Sequence, residues 1–414
     1  MSEFPPAGAD LLGTLRLPRE VHVGEGVRHR LPEFARALGS RVLFIVDPFL
    51  FGTDTLAELV DAVRDVVVDV EVHSDVAPEL PVDGLADAGS WARDLGADLI
   101  VAVGGGSALD AAKCIALVAA HGGPLSRMYG ENQVPGPVLP IIALPTTAGT
   151  GSEVTPVAVV TDVARAQKVG ISSPHLVPTV ALVDPDLAAG APPSVTAFAG
   201  IDAIVHAVES YTARPLAPAA GQLPVATGRN ALSAPMALSA LEHLGPWLPR
   251  SVTDPDAREA RRHTALGSLA AGIAFGSTGV HLCHALQYPV GAASKTPHGL
   301  GTGLLLPYAI DTIRHDETAS RQLIELGAAL ELIALDDASV DRTLDRIVQI
   351  NQAIGVPSTL AEIGISRSQL PCLAARAAGS TRLLAVAPVD VTPALLLDLL
   401  ERAHAGVLGT AVGA

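Results

Sequence analysis

The 414-residue sequence predicts an α/β N-terminal half built on a parallel sheet, followed by an all-α C-terminal half. Two observations support this fold class. Short β-branched runs alternate with helical patterns up to about residue 185, which is the pattern of repeated βαβ units. After residue 195 the Ala- and Leu-rich periodicity is helical, and no strand-like run returns. We therefore expect one domain over residues 1–187 and a second over residues 188–414.

The strand and helix signals of the first domain follow one another regularly. Residues 53–64 are amphipathic, and residues 82–95 and 108–120 have helical composition. Strands separated by helices pair in parallel, and helices then cover both faces of the sheet. The predicted strands are short apolar runs at residues 42–46, 66–72, 99–103, 138–144 and 180–183.

The composition excludes several classes of protein. Hydrophobic residues make up 49% of the chain but aromatic residues only 3%, so the cores must be built mainly from Ala, Val, Leu and Ile. A formal net charge of −16 argues against nucleic acid as a partner and disfavours an anionic membrane surface. A charged fraction of 17% with a mean hydropathy of +0.39 excludes a disordered chain.

The distribution of apolar residues and cysteines indicates the compartment. No apolar run approaches the ~20 residues of a membrane-spanning helix, and polar residues and glycines interrupt the segment 266–282. The first six residues lack the basic and apolar regions of a signal peptide. Cys114, Cys283 and Cys372 are too few for a disulfide framework. We therefore expect a cytoplasmic protein with no membrane partner.

A glycine-rich turn, GGGS at residues 104–107, follows the third predicted strand and precedes a helix. Backbone N–H groups at a helix N-terminus favour a phosphate, and glycines let a pyrophosphate approach closely. Asp47 at the tip of the first strand could accept hydrogen bonds from a ribose and would repel a 2′-phosphate, which favours NAD over NADP. The alternatives are a purely structural turn for the glycines, and a helix cap or turn residue for Asp47.

A second loop of small polar residues, PTTAGTGSE at residues 145–153, follows another predicted strand. Its hydroxyl and backbone N–H groups suit a cofactor or a phosphate. The alternative is an ordinary Gly- and Thr-rich connection.

In the helical half, Asp202 and His206 stand four residues apart in a segment of helical texture. This spacing places both side chains on one face of a helix, where they could chelate one ion. Glu209 follows one turn later and could orient a ligand. The alternative is a capping or surface pair.

Two further histidines change the balance towards a metal. His284 and His298 would lie ~21 Å apart on one straight helix, too far to share an ion. Pro289, Gly291 and Pro297 are expected to break such a helix and return His298 towards His284.

One Asp and three neutral His form an N₃O donor set that suits Fe²⁺ or Zn²⁺, with room for a substrate oxygen. His281 and Cys283 are competing ligand candidates, since His and Cys both favour zinc. The alternative for each of them is a core residue or a residue that supports a ligand.

Four motifs of the chain stand in the order and spacing of one protein family. They are GGGSALDAAK at 104–113, PTTAGTGSE at 145–153, GIDAIVH at 200–206 and PHG at 297–299. With these motifs the chain resembles the iron-dependent (group III) alcohol dehydrogenases over roughly residues 15–405. The resemblance implies a nucleotide-binding α/β domain and an all-helical metal-binding domain, in the dehydroquinate synthase-like architecture, with the active site between them.

Carried over position by position, the resemblance assigns roles to individual residues. The implied metal ligands are Asp202, His206, His284 and His298. Lys168 matches a lysine that family members place close to the cofactor. The implied contacts to NAD are Asp47, Gly105, Gly106, Ser107, Thr146 and Thr147.

The sequence also departs from the family pattern. Tyr288 replaces a histidine that usually belongs to the substrate pocket and proton relay, so its phenol either substitutes in catalysis or shapes the pocket. Ala77-Pro78-Glu79 replaces an Asn-Pro pair. The segments HLCH at 281–284 and GRNALS at 228–233, which ends an irregular loop over 214–230, resemble the hydroxyacid-oxoacid transhydrogenase branch.

Together these features predict a metal-dependent, NAD(H)-linked alcohol dehydrogenase or aldehyde reductase. Its expected substrate is a small alcohol, aldehyde or semialdehyde, with or without an anionic end group. Arg214, Arg229 or Lys295 could bind such a group, and the alternative for each is a solvated surface charge. Fe²⁺ is the expected metal with Zn²⁺ as the alternative, and a homo-oligomer, a dimer, is the expected assembly. The alternatives are a transhydrogenase that keeps its nicotinamide cofactor bound, or a non-catalytic protein that retains the fold.

Overall fold

The computed structural model describes residues 13–77, 80–165, 167–216, 224–254 and 256–409. These residues divide into two units: residues 16–191 with 224–225, and residues 192–216 and 226–409 with 13–15. Pro78 and Glu79 of the departure noted above, and residues 217–223 of the irregular loop, lie outside the described residues.

The first unit contains a parallel sheet, as predicted. Its strands in chain order are β1 (Glu20–Val23), β2 (Arg41–Val46), β3 (Asp69–His73), β4 (Leu99–Gly104), β5 (Gly130–Glu131), β6 (Ile141–Pro145), β7 (Val157–Asp162), β8 (Gln167–Ser172) and β9 (Val180–Val183). Within the described residues, six of them pair in parallel in the order β1–β9–β6–β4–β2–β3. A smaller sheet has the order β5–β8–β7, with β7 and β8 antiparallel.

Helices cover both faces of the large sheet. Side chains alternate along β2, so Val42, Phe44 and Val46 face one layer, whereas Leu43 and Ile45 face the other. Helices α1 and α2 pack on the first face, and α3 and α4 pack on the second. Their bounds are α1 (Leu31–Leu38), α2 (Asp54–Arg64), α3 (Val82–Asp94) and α4 (Gly106–His121).

The sheet register brings the carboxyl ends of β2 and β4 side by side. Val46 of β2 lies opposite Val103 of β4, and the backbone N–H of Asp47 donates to the carbonyl of Val103 over 3.0 Å. The chain goes from β2 to β3 on one side and then crosses to β4 on the other. The carboxyl ends of β2 and β4 therefore flank the point where strand order reverses, which is where open α/β sheets bind ligands.

Two parts of this unit were not identified as strands from the sequence. The edge strand β1 has no buried residue, so it lacks the apolar run of the inner strands. The antiparallel pair β7–β8 is only half-buried, and an alternating pattern of this kind is weaker than a fully buried strand.

The second unit is helical in its described residues, as predicted. A continuous apolar core of Ala, Leu, Ile and Val joins its helices, with Tyr211 and Tyr308 as its buried aromatic residues. The helices are α5 (Pro193–Thr212), α6 (Ser233–Thr253), α7 (Arg258–Thr278), α8 (Leu282–Ser294), α9 (His298–Ile313), α10 (Glu317–Glu331), α11 (Val340–Ala353), α12 (Leu370–Ala378), α13 (Thr381–Leu384) and α14 (Pro393–Ala405).

The expected helix break at Pro289 and Gly291 is wrong. Helix α8 runs through both residues and ends at Ser294, and the following residue, Lys295, has a left-handed φ of 59°. A proline inside a helix removes one backbone hydrogen bond, and packing of the buried Pro289 and Val290 compensates for that loss. Pro297 then caps α9, so the change of direction lies at residues 295–297.

Within the described part of the chain, no single helix is long and apolar enough to cross a membrane. One helix pair, Arg258–Thr278 with Leu282–Ser294, passes the length and composition criteria jointly but is bent by 101°.

Candidate active site

Helix α5 presents a carboxylate and an imidazole on one buried face. Asp202 and His206 are separated by one helical turn, and the Nε2 atom of His206 lies 3.8 Å from the Oδ2 atom of Asp202. Both side chains are almost fully buried. Helical spacing alone therefore produces this half of the cluster.

Helices α8 and α9 supply the other half. His284 lies in the first turn of α8, and His298 is the first residue of α9. The Nε2 atoms of both histidines lie 3.8 Å from the Oδ1 atom of Asp202. The ring centroids are 4.8 Å apart for His206 and His284, and 5.3 Å apart for His284 and His298. The structure thus gathers the four predicted ligand residues around one carboxylate.

Gly299 allows α9 to approach α5 closely enough for this arrangement. A Cβ atom at Gly299 would lie 1.9 Å from the carbonyl oxygen of Phe198 and 3.0 Å from the Cβ atom of Asp202. Any larger residue would push the start of α9, and His298 with it, away from Asp202.

Glu209 holds the His284 side of the cluster. Its carboxylate accepts a hydrogen bond from Nδ1 of His284 over 2.6 Å. It also accepts from the backbone N–H groups of His281 over 2.9 Å and Cys283 over 2.6 Å, at the N-terminus of α8. A carboxylate at a helix N-terminus is favourable. A carboxylate that accepts the Nδ1 proton also selects the neutral tautomer in which the Nε2 atom has a free electron pair for a metal.

The charges of the cluster stabilise its buried carboxylates. Burial by itself would raise the pKa of Asp202, but the three facing imidazoles and the hydroxyl of Thr302 hold that pKa below its ordinary value. Burial likewise opposes ionisation of Glu209, yet His281, His284 and backbone hydrogen bonds lower its pKa to about 2. Both carboxylates are therefore ionised at neutral pH.

The donor set fits a divalent metal ion. Asp202, His206 and His284 each offer one ligand atom, and these atoms lie within 4.8 Å of one another. The buried Nε2 atom of His284 has no hydrogen-bond partner among the described residues. Imidazole nitrogen with carboxylate oxygen suits Fe²⁺ and Zn²⁺.

The two competing ligand candidates have other partners. Nε2 of His281 lies 3.0 Å from the Oγ1 atom of Thr212. Cys283 is fully buried, and burial next to Glu209 and Asp202 raises the pKa of its thiol well above the ordinary value. The group of described residues whose ligand atoms lie within 4.8 Å of one another consists of Asp202, His206 and His284, without His281 or Cys283.

Aromatic rings flank the cluster. Phe275 stacks on His206 with ring centroids 4.0 Å apart. The ring of Tyr288, which packs with Phe275 and Leu384 against a small apolar cluster, lies 6.2 Å from that of His298. Phe275 was not identified from the sequence, because only its spatial neighbours distinguish it from a core residue.

The basic side chains expected to bind an anionic substrate have partners within the protein or are exposed. Arg214 donates to Asp390 over 3.1 Å. The guanidinium of Arg229 lies 4.6 Å from the ring centroid of Tyr211. Lys295 is exposed at the end of α8.

In the first unit, the predicted cofactor residues Asp47, Gly105 and Thr147 lie together. A Cβ atom at Gly105 would be 3.4 Å from the Oγ1 atom of Thr147 and 3.9 Å from the Oδ2 atom of Asp47. Asp47 also uses its Oδ1 atom to cap a short 3-10 turn, accepting from the backbone N–H of Phe49 over 3.1 Å. The capping alternative and the proximity to the glycine turn therefore both hold for Asp47.

The remaining predicted cofactor residues lie on neighbouring elements. Gly106 and Ser107 form the first turn of α4, whose N-terminus has no side-chain cap. A Cβ atom at Gly106 would lie 2.6 Å from the Cγ2 atom of Thr150, so only glycine permits this loop to pack against the helix. The backbone N–H of Thr146 donates to the carbonyl of Gly104 over 3.0 Å. Lys168 lies on β8 opposite Thr161.

Lys113, the last residue of the motif GGGSALDAAK, is completely buried in α4, and no role was assigned to it from the sequence. Its signal in the sequence is a lysine within an otherwise apolar helical segment. Burial alone would disfavour its charge, so its partners must compensate.

Comparison with known proteins assigns most of the chain to a family. The N-terminal family model described as iron-containing alcohol dehydrogenase matches residues 18–185, and the model of the C-terminal domain of the Fe-containing alcohol dehydrogenase family matches residues 196–404. The chain is 35% identical over 393 residues to long-chain-alcohol dehydrogenase 1 of Geobacillus thermodenitrificans, covering 94% of this chain and 95% of that protein.

Two further similarities are relevant to the chemistry. The chain is 32% identical over 415 residues to a mitochondrial hydroxyacid-oxoacid transhydrogenase of Caenorhabditis elegans, covering 92% of this chain and 88% of that protein. It superposes on sulfoacetaldehyde reductase of Bifidobacterium kashiwanohense, solved in complex with NAD⁺, with a TM-score of 0.81 and 26% identity, covering 95% of this chain and 99% of that one. The chain belongs to the iron-containing alcohol dehydrogenase family and is an oxidoreductase of that type.

Proposed function

We propose that this protein is a metal-dependent, NAD(H)-linked alcohol dehydrogenase or aldehyde reductase that acts on a small, uncharged alcohol or aldehyde. The observation that carries the proposal is the gathering of three imidazole Nε2 atoms within 3.8 Å of the buried carboxylate of Asp202. Two of these imidazoles, His206 and His284, are buried and His298 is partly exposed. Placing them around one buried carboxylate is costly for the fold alone, and a bound cation would offset that cost.

The residues that would hold the metal are Asp202, His206, His284 and His298, with Fe²⁺ as the expected ion and Zn²⁺ as the alternative. When bound, the metal supplies a Lewis acid for the oxygen of the alcohol or aldehyde. The protein's own part is to orient these donors and to fix their tautomers. Glu209 does this for His284 by accepting the Nδ1 proton.

The cofactor-binding residues of the first unit would hold the dinucleotide. The carboxylate of Asp47 would accept hydrogen bonds from the ribose diol and repel a 2′-phosphate, and the uncapped N-terminus of α4 at Gly106 and Ser107 would receive the pyrophosphate. Gly105, which has no side chain, would permit the pyrophosphate to approach the backbone closely. When bound, the dinucleotide supplies the hydride acceptor or donor. The hydroxyl groups of Thr146 and Thr147 and the ammonium of Lys168 would provide further polar contacts.

The surroundings of the metal ligands favour an uncharged substrate. Phe275 and Tyr288 line one side of the histidines. Arg214 is paired with Asp390, and Arg229 stacks on Tyr211, so satisfying an anionic end group would require breaking these interactions. An apolar wall instead favours the alkyl chain of a simple alcohol.

The proposal is tested by metal analysis and by NADH absorbance with a series of small alcohols and aldehydes, with and without an acidic end group. We expect the Fe²⁺-loaded protein to turn over uncharged substrates, and the Asp202→Asn and His284→Ala variants to lose both metal and turnover. These variants should still bind NAD⁺, since the predicted cofactor residues belong to the other unit. Full activity of a variant shown to contain no metal would contradict the proposal.

A transhydrogenase is the second candidate, supported by the 32% identity to the enzyme of that name. It predicts turnover of a hydroxyacid with an oxoacid without added NAD⁺, and a nicotinamide cofactor that co-purifies with the protein. A protein that purifies without cofactor and requires added NAD⁺ would exclude this alternative.

A further inference from the structure

Lys113 is a buried cation at the centre of the first unit. It lies in the second turn of α4, the helix that begins at the glycine turn, and its side chain is completely shielded from solvent. The sequence contains only three lysines, Lys113, Lys168 and Lys295, beside 24 arginines. The buried position therefore holds the cation that this chain uses least.

The ammonium of Lys113 is fully hydrogen-bonded. Nζ donates to the Oγ atom of Ser152 over 2.8 Å, to the carbonyl of Thr155 over 3.0 Å and to the carbonyl of Val157 over 2.7 Å. A lysine ammonium has three protons, and these three shortest contacts match that number, while the Oγ1 atom of Thr155 lies farther away at 3.4 Å. The planar guanidinium of an arginine is larger and would not satisfy three converging acceptors in the same space.

All three acceptors belong to one segment, the loop of small polar residues and the start of β7. Asp110, one helical turn before Lys113, holds the same segment from its other side. Its Oδ1 atom accepts from the hydroxyl of Ser152 over 2.6 Å, and its Oδ2 atom accepts from the backbone N–H of Val159 over 2.9 Å. Asp110 and Lys113 thus fix the C-terminal end of the loop to α4.

The N-terminal end of the loop is fixed to β4, the strand that pairs with β6. The backbone N–H of Thr146 donates to Gly104, the last residue of β4. Between the two fixed ends, Thr147 contacts Gly105, and Thr150 packs on Gly106. The loop is therefore tied at both ends to the strand, turn and helix that would receive the pyrophosphate.

Charge balance supports a specific role for the lysine. Burial opposes the charge of Lys113, whereas Asp110, 3.8 Å from Nζ, and the buried Glu153 favour it. A well-packed apolar side chain would often be as stable at such a position as a buried ion pair. The ammonium is better explained by the three acceptors that it draws to one point.

We propose that Lys113 is a positioning residue for the dinucleotide. It holds residues 146–155, which are the loop of small polar residues from Thr146 onward together with Val154 and Thr155, in one conformation against the start of α4, so that Thr146 and Thr147 face the glycine turn. This inference rests on the proposed dinucleotide function of the first unit. A pre-positioned loop binds its ligand without the cost of ordering it at that moment. Loss of the ammonium is then expected to weaken dinucleotide binding more than it weakens the fold.

The test measures the Kd for NAD⁺ by calorimetry in the metal-loaded wild-type protein and in Lys113→Met. We expect the Kd to rise at least about tenfold, which corresponds to about 1.4 kcal/mol. The KM for NAD⁺ should rise likewise, whereas the KM for the alcohol and the metal content stay unchanged. Lys113→Arg should not restore tight binding.

Arg93→Met is the matched control, because it removes a different cation that also contacts α4, from the neighbouring helix α3. The guanidinium of Arg93 donates to the carbonyls of Ala119 and Val118 at the C-terminal end of α4. We expect this variant to lose thermal stability without a change in the Kd for NAD⁺. An equal rise in Kd for Arg93→Met would show that general destabilisation causes the effect, and would overturn the proposal.

Ser152→Ala keeps the proposal falsifiable if Lys113→Met does not fold. It removes the hydroxyl that joins Lys113 to Asp110, and it should raise the Kd for NAD⁺ by a smaller factor. An unchanged Kd in both folded variants would overturn the role of Lys113 alone. A wild-type protein that binds neither NAD⁺ nor NADP⁺ would instead overturn the proposed function, so the two failures are distinguishable.

Discussion

The carboxylate of Glu209 and the Nδ1 atom of His284 are 2.6 Å apart, and the same carboxylate accepts two backbone N–H groups at the start of α8. One side chain therefore fixes both the helix and the tautomer of an imidazole on that helix. Partners of this kind commonly change metal affinity by about 10- to 100-fold.

Glu209→Gln is expected to lower metal affinity by about tenfold or more, because an amide oxygen is a weaker acceptor for the Nδ1 proton of His284. Competition with a chelator, read out as metal content, measures the effect. Glu325→Gln is the control, since Glu325 accepts from Tyr211 in the same unit and not from a predicted ligand. Equal metal loss in both variants would contradict a specific role for Glu209.

Tyr288→Phe separates the two functions open to this residue. Because the ring packs with Phe275 and Leu384, we expect the ring to matter more than the hydroxyl. Tyr288→Phe should keep kcat within about threefold, whereas Tyr288→Ala should lower kcat/KM by about tenfold or more. A large loss of kcat in Tyr288→Phe, with an altered pH profile, would instead assign the phenol to proton transfer.

Asp47→Ala is expected to weaken NAD⁺ binding and to narrow the preference for NAD⁺ over NADP⁺. The carboxylate would no longer accept from the ribose or repel a 2′-phosphate. A change of about tenfold in the ratio of the two Kd values would correspond to about 1.4 kcal/mol.

The variant also loses the cap on the backbone N–H of Phe49, so a loss of stability of about 1 kcal/mol should accompany the change. Thr53→Ala, which removes the cap of α2, is the control for that loss. An unchanged preference for NAD⁺ in Asp47→Ala would leave the residue with its capping role only.

Glu153 should make the stability of the first unit fall as pH rises. Burial raises the pKa of its carboxyl group to about 7, although the nearby Lys113 opposes the shift. The folded state therefore holds a proton that the unfolded state releases near pH 4.5, and stability is lost between pH 4.5 and 7.

Glu153→Gln removes this dependence, so its melting temperature relative to the wild-type protein should be higher at pH 8 than at pH 5. Between the two pH values, the free energy of unfolding of the variant relative to the wild-type protein should change by roughly 1–3 kcal/mol. Thermal unfolding at the two pH values measures it. A constant difference across this range would show that Glu153 is already ionised in the folded protein, balanced by Lys113.

Local sequence patterns were sufficient for the inner strands and most helices of the first unit. Strand β4 is buried on both faces, and α4 follows directly from a glycine turn, so both are evident from composition. Strands β1 and β8 were missed because these partly exposed strands carry no continuous apolar run. Strand β7 was missed as well, although its residues 157–160 are apolar. Helix α8 shows the opposite error, since proline chemistry predicts a break that tertiary packing prevents.

The candidate site divides in the same way. Asp202 and His206 form a pair through helical spacing alone, so the sequence by itself determined that half of the cluster. His284 and His298 were ligand candidates from the sequence beside His281 and Cys283, and the family resemblance selected them. The roles of Glu209, Phe275 and Lys113 could not be ranked from the sequence, because each depends on contacts with residues far away in the chain.

The charge of −16 argued against nucleic acid as a partner. The alternation of strand and helix patterns predicted the fold class, and the motifs indicated the family. Tertiary structure decided which histidines face Asp202, which basic side chains are already paired, and that a lysine is buried beneath the glycine turn. The physical reason is that helix and strand periodicities are local, whereas desolvation and ion pairing are set by residues that only the fold brings together.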